Sequence, residues 1–211
     1  MDASIEQADE GTNRGIDEQD LGIRLRAVRH RLGLSLQEVA RRARLSIGMI
    51  SQIERGQSSP SFRSLRLLSG ALELPMEFFF TEKPPKQRGA DDVVVRPEGR
   101  RSLRLAKKGI VTEYIDPDTA GTMQMMLMTI DPGGGTGREF DQHVGEEGGL
   151  VLAGQFELHL ARKRLILNEG DSFRFPANTP HRVQNPGRIP TRIVWFITPT
   201  LYGREALSRM L

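Results

Sequence analysis

At 211 residues, 37% of them hydrophobic, the chain can bury one large or two small cores and is too apolar for a disordered polymer. It has no cysteine, which excludes disulfides and thiolate-bound metals. Nor does any run approach the roughly 18 apolar residues of a membrane span. The net charge is only +3, from 30 basic and 27 acidic residues, so the distribution of charge says more than its sum.

Residues 1–19 hold six acids, one arginine and almost no apolar periodicity, the pattern of a flexible acidic tail. They lack the basic and apolar regions of a secretory leader, which fits a cytoplasmic protein. Between Asp20 and Glu82 the balance reverses, with ten arginines, no lysine and six acids. Such a block suits phosphate contacts, since arginine grips phosphate bidentately, but a solvated helical surface has the same composition.

The first predicted helix carries Leu21, Leu25, Val28 and Leu32 at three- and four-residue spacing and ends at Gly33. Ser35 then caps a second, with Glu38 completing a capping-box pattern and Leu36, Val39, Ala40 and Ala43 on its apolar face. Ser46 opens a third through Glu54, with Ile50 and Ile53 inward, and Gly56 stops it. Pro60 to Leu74 predicts a fourth, and Pro75 to Phe80 a short fifth. Residues 81–90 (TEKPPKQRGA) have no apolar side chain larger than alanine's methyl and two adjacent prolines, so they read as a linker.

Beyond the linker the period falls from about 3.6 to 2. Strand-like runs are expected at Val93–Val95, Val111–Ile115, Met123–Ile130, Leu150–Leu152, Phe156–Leu160, Leu165–Leu167, Ser172–Phe175 and Arg192–Ile197. Glycine-rich turns separate them, the pattern of a small barrel or sandwich. The expected organisation is therefore an all-α domain over 20–80 and an all-β domain over 91–211.

Residues 34–56, LSLQEVARRARLSIGMISQIERG, resemble the helix-turn-helix of the Xre and phage-repressor family, and the resemblance extends over Leu21 to Phe80. It implies a lambda-repressor-like fold of five helices that binds double-stranded DNA, with the third helix in the major groove. On that reading Ile47, Gly48, Ser51 and Gln52 reach base edges, with Ser46 as cap or phosphate contact. Gln52 can bond an adenine edge bidentately, whereas Gly48 leaves one reading position blank. Arg41, Arg55, Ser58, Ser61 and Arg63 are the expected backbone contacts. Arg44 stands where the family commonly has a turn glycine and is expected to adopt a left-handed backbone.

From Pro132 onward the chain resembles the cupins, which implies a double-stranded β-helix barrel. In GTGREFDQHVGEEGGLVLAG, His143, Glu147 and Gly154 match the first cupin motif and Asp141 replaces its first histidine. In GDSFRFPANTPHRVQN, Gly170, Pro176, His181 and Asn185 match the second. Asn178 replaces a glycine there, tolerable because asparagine accepts left-handed conformations. Asp141 and His143, two apart on a strand, are expected to share one face with Glu147 and His181. This set suits Zn, Fe, Mn or Ni. It suits an organic ligand held directly equally well, and a purely structural role is the third reading.

Residues Gly145 to Gly149, with Pro199 to Tyr202, are similar to regulators that pair this helix-turn-helix with a cupin, including a putrescine-responsive type. The similarity implies a homodimeric transcription regulator of the repressor kind, sensing a polyamine, amino acid or related metabolite. Glu146 and Glu147 suit an ammonium group, while Arg138, Arg174 or Arg182 suit a carboxylate. The alternative function is a metal-dependent cupin oxygenase or isomerase with an appended helix-turn-helix. Phe140, Phe156, Phe173, Phe175 and Trp195 are expected in the barrel core, and His30 and His159 at the surface.

Overall fold

A computed structural model describes residues 16–74, 76–79, 93–117 and 121–199. The expected linker, most of the acidic tail, and Thr200 to Tyr202 lie outside the described residues.

Four helices form the first domain: α1 (Glu18–Arg31), α2 (Leu36–Ala43), α3 (Ile47–Glu54) and α4 (Phe62–Leu72). The fifth helix expected at Pro75–Phe80 is a single 3-10 turn, Met76–Phe79. Four residues make one turn and no more, and Phe79 still reaches the core. α1 begins earlier than the apolar spacing indicated. Asp17 caps it, accepting from the backbone N–H of Gln19 at 2.8 Å and Asp20 at 3.0 Å. Leu21, Leu25, Val39, Ile50, Ile53, Leu65 and Leu68 fill the space between the helices. Gly22 lets α1 cross closely over α3, since a Cβ there would lie 2.4 Å from the Ile53 carbonyl oxygen.

Nine strands among the described residues make the second domain. Strands β1 (Arg101–Leu105), β2 (Ile110–Tyr114), β3 (Gln124–Ile130), β9 (Thr191–Thr198), β4 (Glu146–Ala153) and β7 (Ser172–Pro176) form one sheet in that order. Strands β6 (Lys163–Leu167), β5 (Phe156–Leu160) and β8 (His181–Gln184) form the other, and every pairing is antiparallel. Period-2 burial is clearest on β9, where Thr191, Ile193, Trp195 and Ile197 point inward. The strand expected at Val93–Val95 is absent: these valines are exposed or half-buried and unpaired. β1 and β8 were not expected, because arginines and a histidine dilute their alternation. Asn178 has no left-handed backbone, so its place in the motif does not need the glycine-like conformation.

The two domains touch at a few specific points. Ile16 forms a parallel bridge with Leu103 of β1, and the Glu18 carboxylate accepts from the Lys107 backbone N–H at 3.0 Å. Residues 16–19, assigned by composition to the tail, thus join the start of α1 to the β domain.

Candidate functional site

Local chemistry fixes the helix-turn-helix. The Ser35 hydroxyl accepts from the Glu38 N–H at 3.2 Å, and the Glu38 carboxylate accepts from the Ser35 N–H at 2.7 Å, closing a capping box. Arg44 ends α2 in the left-handed region, φ 53 and ψ 40, as its place in the turn required. Ser46 caps α3 by accepting from Met49 N–H at 3.1 Å. With Ile50 and Ile53 buried, Ile47, Gly48, Ser51, Gln52 and Arg55 share the opposite, outward side of α3. Arg55 folds back onto the Ser51 hydroxyl and onto Gln57 Oε1 at 2.9 Å. Arg41 is exposed on α2.

Two of the expected backbone contacts have partners within the chain. The Ser61 hydroxyl caps α4, accepting from the Ser64 N–H at 3.0 Å. Arg63 turns to the β domain, its Nη1 3.5 Å from the Glu139 carboxylate. Sequence reasoning also missed the buried pair of Arg29 and Glu54, bonded at 2.6 and 2.8 Å, which ties α1 to α3. No local spacing could reveal partners 25 positions apart.

Inside the barrel, β4 carries Glu147 inward and the start of β8 carries His181; His143 precedes β4. His143 Nε2 lies 2.7 Å from Glu147 Oε1, and His181 Nε2 lies 3.6 Å from Glu147 Oε2. One ligand atom from each of the three lies within 4.8 Å of the others, and all three residues are buried. The two Nδ1 atoms face backbone oxygens, of Val144 at 3.1 Å and of Thr179 at 2.9 Å. Nδ1 donation to these oxygens leaves Nε2 of each ring as the atom that faces Glu147. Two imidazole nitrogens and a carboxylate converging on one point suit either a divalent cation or a proton held between His143 and Glu147. Burial pushes the His143 pKa down, but the hydrogen bond and charge of Glu147 outweigh it, and the net shift is upward. The donor set therefore fits a two-histidine, one-carboxylate metal site with oriented rings.

Asp141 does not join this group. It is not on a regular strand but in an isolated bridge, exchanging backbone hydrogen bonds with His181 at 2.8 and 2.9 Å. Its carboxylate accepts instead from Arg66 of α4, which also donates to the Gln142 carbonyl at 3.0 Å. Arg66 is buried, a position the sequence did not single out. Glu146, expected beside Glu147, points to the other face of β4 and is exposed, because adjacent strand residues alternate.

The three residues help to line a cavity of about 70 Å³. Tyr114, Met126, Met128, Trp195 and Ile197 give it apolar walls, while Glu139, Asp141 and Arg182 add charge. Ser61, Phe62, Arg63 and Met76 of the helical domain also line it. Among the arginines expected to favour a carboxylate, Arg182 lines this cavity; Arg138 and Arg174 are exposed and do not. Phe156, Phe173, Phe175 and Trp195 pack together in the core, but Phe140 is exposed, with Arg182 5.6 Å from its ring centre. His30 is exposed as expected. His159 is not: it is half-buried between Glu157 and Arg182, since the covered outer face of β5 holds a charge network.

Residues 25–79 match the helix-turn-helix family model and residues 126–197 match the cupin domain model. The chain therefore joins a helix-turn-helix domain to a cupin domain. It is 29% identical to the HTH-type transcriptional regulator PuuR of Escherichia coli, over 86% of this chain and 96% of that one. Its fold is similar to that of an HTH_3-family transcriptional regulator from Vibrio cholerae, with a TM-score of 0.57 at 20% identity, covering 86% and 96% of the two chains. The alginate biosynthesis protein AlgA of Pseudomonas aeruginosa is 27% identical over 46% of this chain but only 20% of its own length. In this helix-turn-helix–cupin chain, no helix among the described residues is long and apolar enough to cross a membrane.

Proposed function

We propose that this regulator binds DNA as a homodimer and that a metal or small metabolite in the cupin cavity adjusts its affinity for DNA. The observation that carries this reading is the shared cavity, which His143, Glu147 and His181 line together with Ser61, Phe62, Arg63 and Met76 of the DNA-binding domain. An occupant touches both domains at once. It can favour one pose of the DNA-binding domain only by binding that pose better; a hundredfold preference corresponds to about 2.7 kcal/mol.

His143, Glu147 and His181 would hold a divalent ion such as Zn, Fe, Mn or Ni, which when bound supplies a Lewis-acidic anchor for a ligand oxygen or nitrogen. The chain's own contribution is to orient both rings through Val144 and Thr179 and to exclude water with the methionine and tryptophan walls. Acidic and basic side chains both line the cavity, which suits a metabolite carrying an ammonium or a carboxylate, such as a polyamine or amino acid. Similarity to regulators along nearly the whole chain supports a sensory rather than a catalytic cupin.

An apolar stripe on the outer face of the larger sheet supports dimerisation. Leu150 and Leu152 are exposed there beside half-buried Val194 and Phe196, with Leu150 opposite Val194 in register. A second copy covering the stripe satisfies both its hydrophobicity and the need for two recognition helices about 34 Å apart.

The test is metal analysis and native mass spectrometry of the purified protein, followed by DNA affinity with and without whatever is found. A bound metal or metabolite whose removal shifts affinity is the expected result. Protein that carries nothing, takes up nothing on soaking and binds DNA unchanged would contradict the reading.

A further inference from the structure

The domains meet along a second hollow of about 120 Å³. One side is Ser58, Ser59, Ser61 and Ser64 of the α3–α4 loop and the first turn of α4; the other includes Lys108 and Arg138 of the cupin domain. We propose that this hollow takes a phosphate of the DNA backbone and that the cupin domain completes it. The proposal rests on the DNA-binding reading above and extends it, since it gives the cupin a direct part in DNA affinity.

Position is the first support. With α3 in the major groove, the loop that leaves it runs beside the sugar-phosphate backbone. The cupin comes close at that point, where Lys107 Nζ donates to the Gly56 carbonyl, just past the end of α3, at 2.7 Å.

Unspent hydrogen-bonding and charge are the second. The Ser59 hydroxyl is buried in this lining with no hydrogen-bond partner among the described residues, a state that favours an incoming acceptor. The first turn of α4 carries no acid. Arg138 is exposed, and none of the described carboxylates pairs with it. Lys108 Nζ donates to the Thr136 carbonyl at 3.2 Å and passes over Gly137, whose φ is +104° and whose absent Cβ would lie 3.0 Å from that nitrogen. Burial disfavours the Lys108 charge and Glu139 only partly offsets this, so an arriving anion improves its surroundings. Glu139 is the opposing charge in the lining, and its nearest cation is Arg63.

The third support is a shared wall. Ser61, Thr136 and Glu139 line both this hollow and the ligand cavity. A ligand that displaces residues 136–139 therefore moves Arg138 relative to the DNA backbone.

The experiment uses the full-length protein and a duplex it selects from a random pool, with affinity measured from about 0.05 to about 0.3 M salt. Arg138→Ala is expected to weaken binding about fivefold at about 0.15 M salt and to flatten the log–log salt slope by about 1. Arg138→Lys should restore most of the slope, and Lys163→Ala, at an exposed cation on β6, should leave it unchanged. Because Arg138 is exposed, its removal leaves the fold intact, which Trp195 fluorescence verifies. Wild-type affinity and slope in Arg138→Ala overturn the proposal. If the wild type binds no duplex in a salt-dependent way, the DNA-binding reading fails with it. If Gln52→Ala alters selection while Arg138→Ala changes nothing, the hollow alone is misassigned. Inorganic phosphate serves as the small-anion probe: binding that Arg138→Ala abolishes, with duplex affinity untouched, means a free anion is the occupant and overturns the DNA assignment.

Discussion

Each domain buries a glutamate against basic groups, and the two arrangements differ in kind. Glu54 is complete: Arg29 donates to both its oxygens at 2.6 and 2.8 Å and spends a third N–H on the Leu34 carbonyl at 3.1 Å. Glu147 is arranged differently: it faces the Nε2 atoms of His143 and His181 at 2.7 and 3.6 Å, while the two Nδ1 atoms lie against the Val144 and Thr179 carbonyls. A closed ion pair needs nothing further and is architecture. Two imidazole nitrogens and a carboxylate within 4.8 Å of one another are a candidate binding site. Equal burial therefore says little about role; donor bookkeeping separates the two.

The sharpest way to break this comparison is to neutralise each glutamate in turn. Glu54→Gln strands a buried guanidinium and is expected to cost about 3–5 kcal/mol of stability, read by thermal or denaturant unfolding, with metal uptake unaffected. Glu147→Gln removes a ligand instead. It should weaken divalent-metal binding about a hundredfold by calorimetry while disturbing stability far less. If the two variants lost stability equally and neither changed metal binding, the distinction would collapse.

Base readout comes next in size. Gln52→Ala is expected to lose about 1–3 kcal/mol of discrimination at one base pair, seen in the sequences selected from a random pool.

A smaller effect concerns Glu157, a third buried glutamate. The Arg164 hydrogen bond, outweighing burial and aided by His159, lowers its pKa from 4.5 to about 2. A folded-state pKa below the unfolded value means the stabilisation is complete above about pH 4.5 and is lost as pH falls toward 2. Trp195 is the single tryptophan and lies in the cupin, so its fluorescence reports that domain's acid transition. Arg164→Met should move the transition to higher pH.

The helical domain was legible because its signals are local. Ser35 with Glu38, Ser46 before α3 and the apolar faces of α1 to α3 each act within one or two turns, and the structure reproduces them. The cupin strands were legible wherever alternation was clean, as on β5 and β9, and lost where arginines interrupted it, as on β1. In the site, the motif brought His143, Glu147 and His181 together. It could not show that the Asp141 carboxylate turns to Arg66, because that choice depends on how two domains dock. Long-range pairs such as Arg29 with Glu54, and the cavity wall formed by α4, leave no periodic trace in sequence.

The central claim is that occupancy of the cupin site is felt by the DNA-binding domain across a shared wall. The most direct measurement is the affinity of one selected duplex for wild-type protein and for Asp141→Asn, each with stoichiometric Zn²⁺ and with chelator. The expected result is an affinity shift of about tenfold or more in the wild type, much reduced in Asp141→Asn, whose bond to Arg66 is weakened. Identical duplex isotherms with and without metal, on protein shown to carry one bound ion per chain, would contradict it.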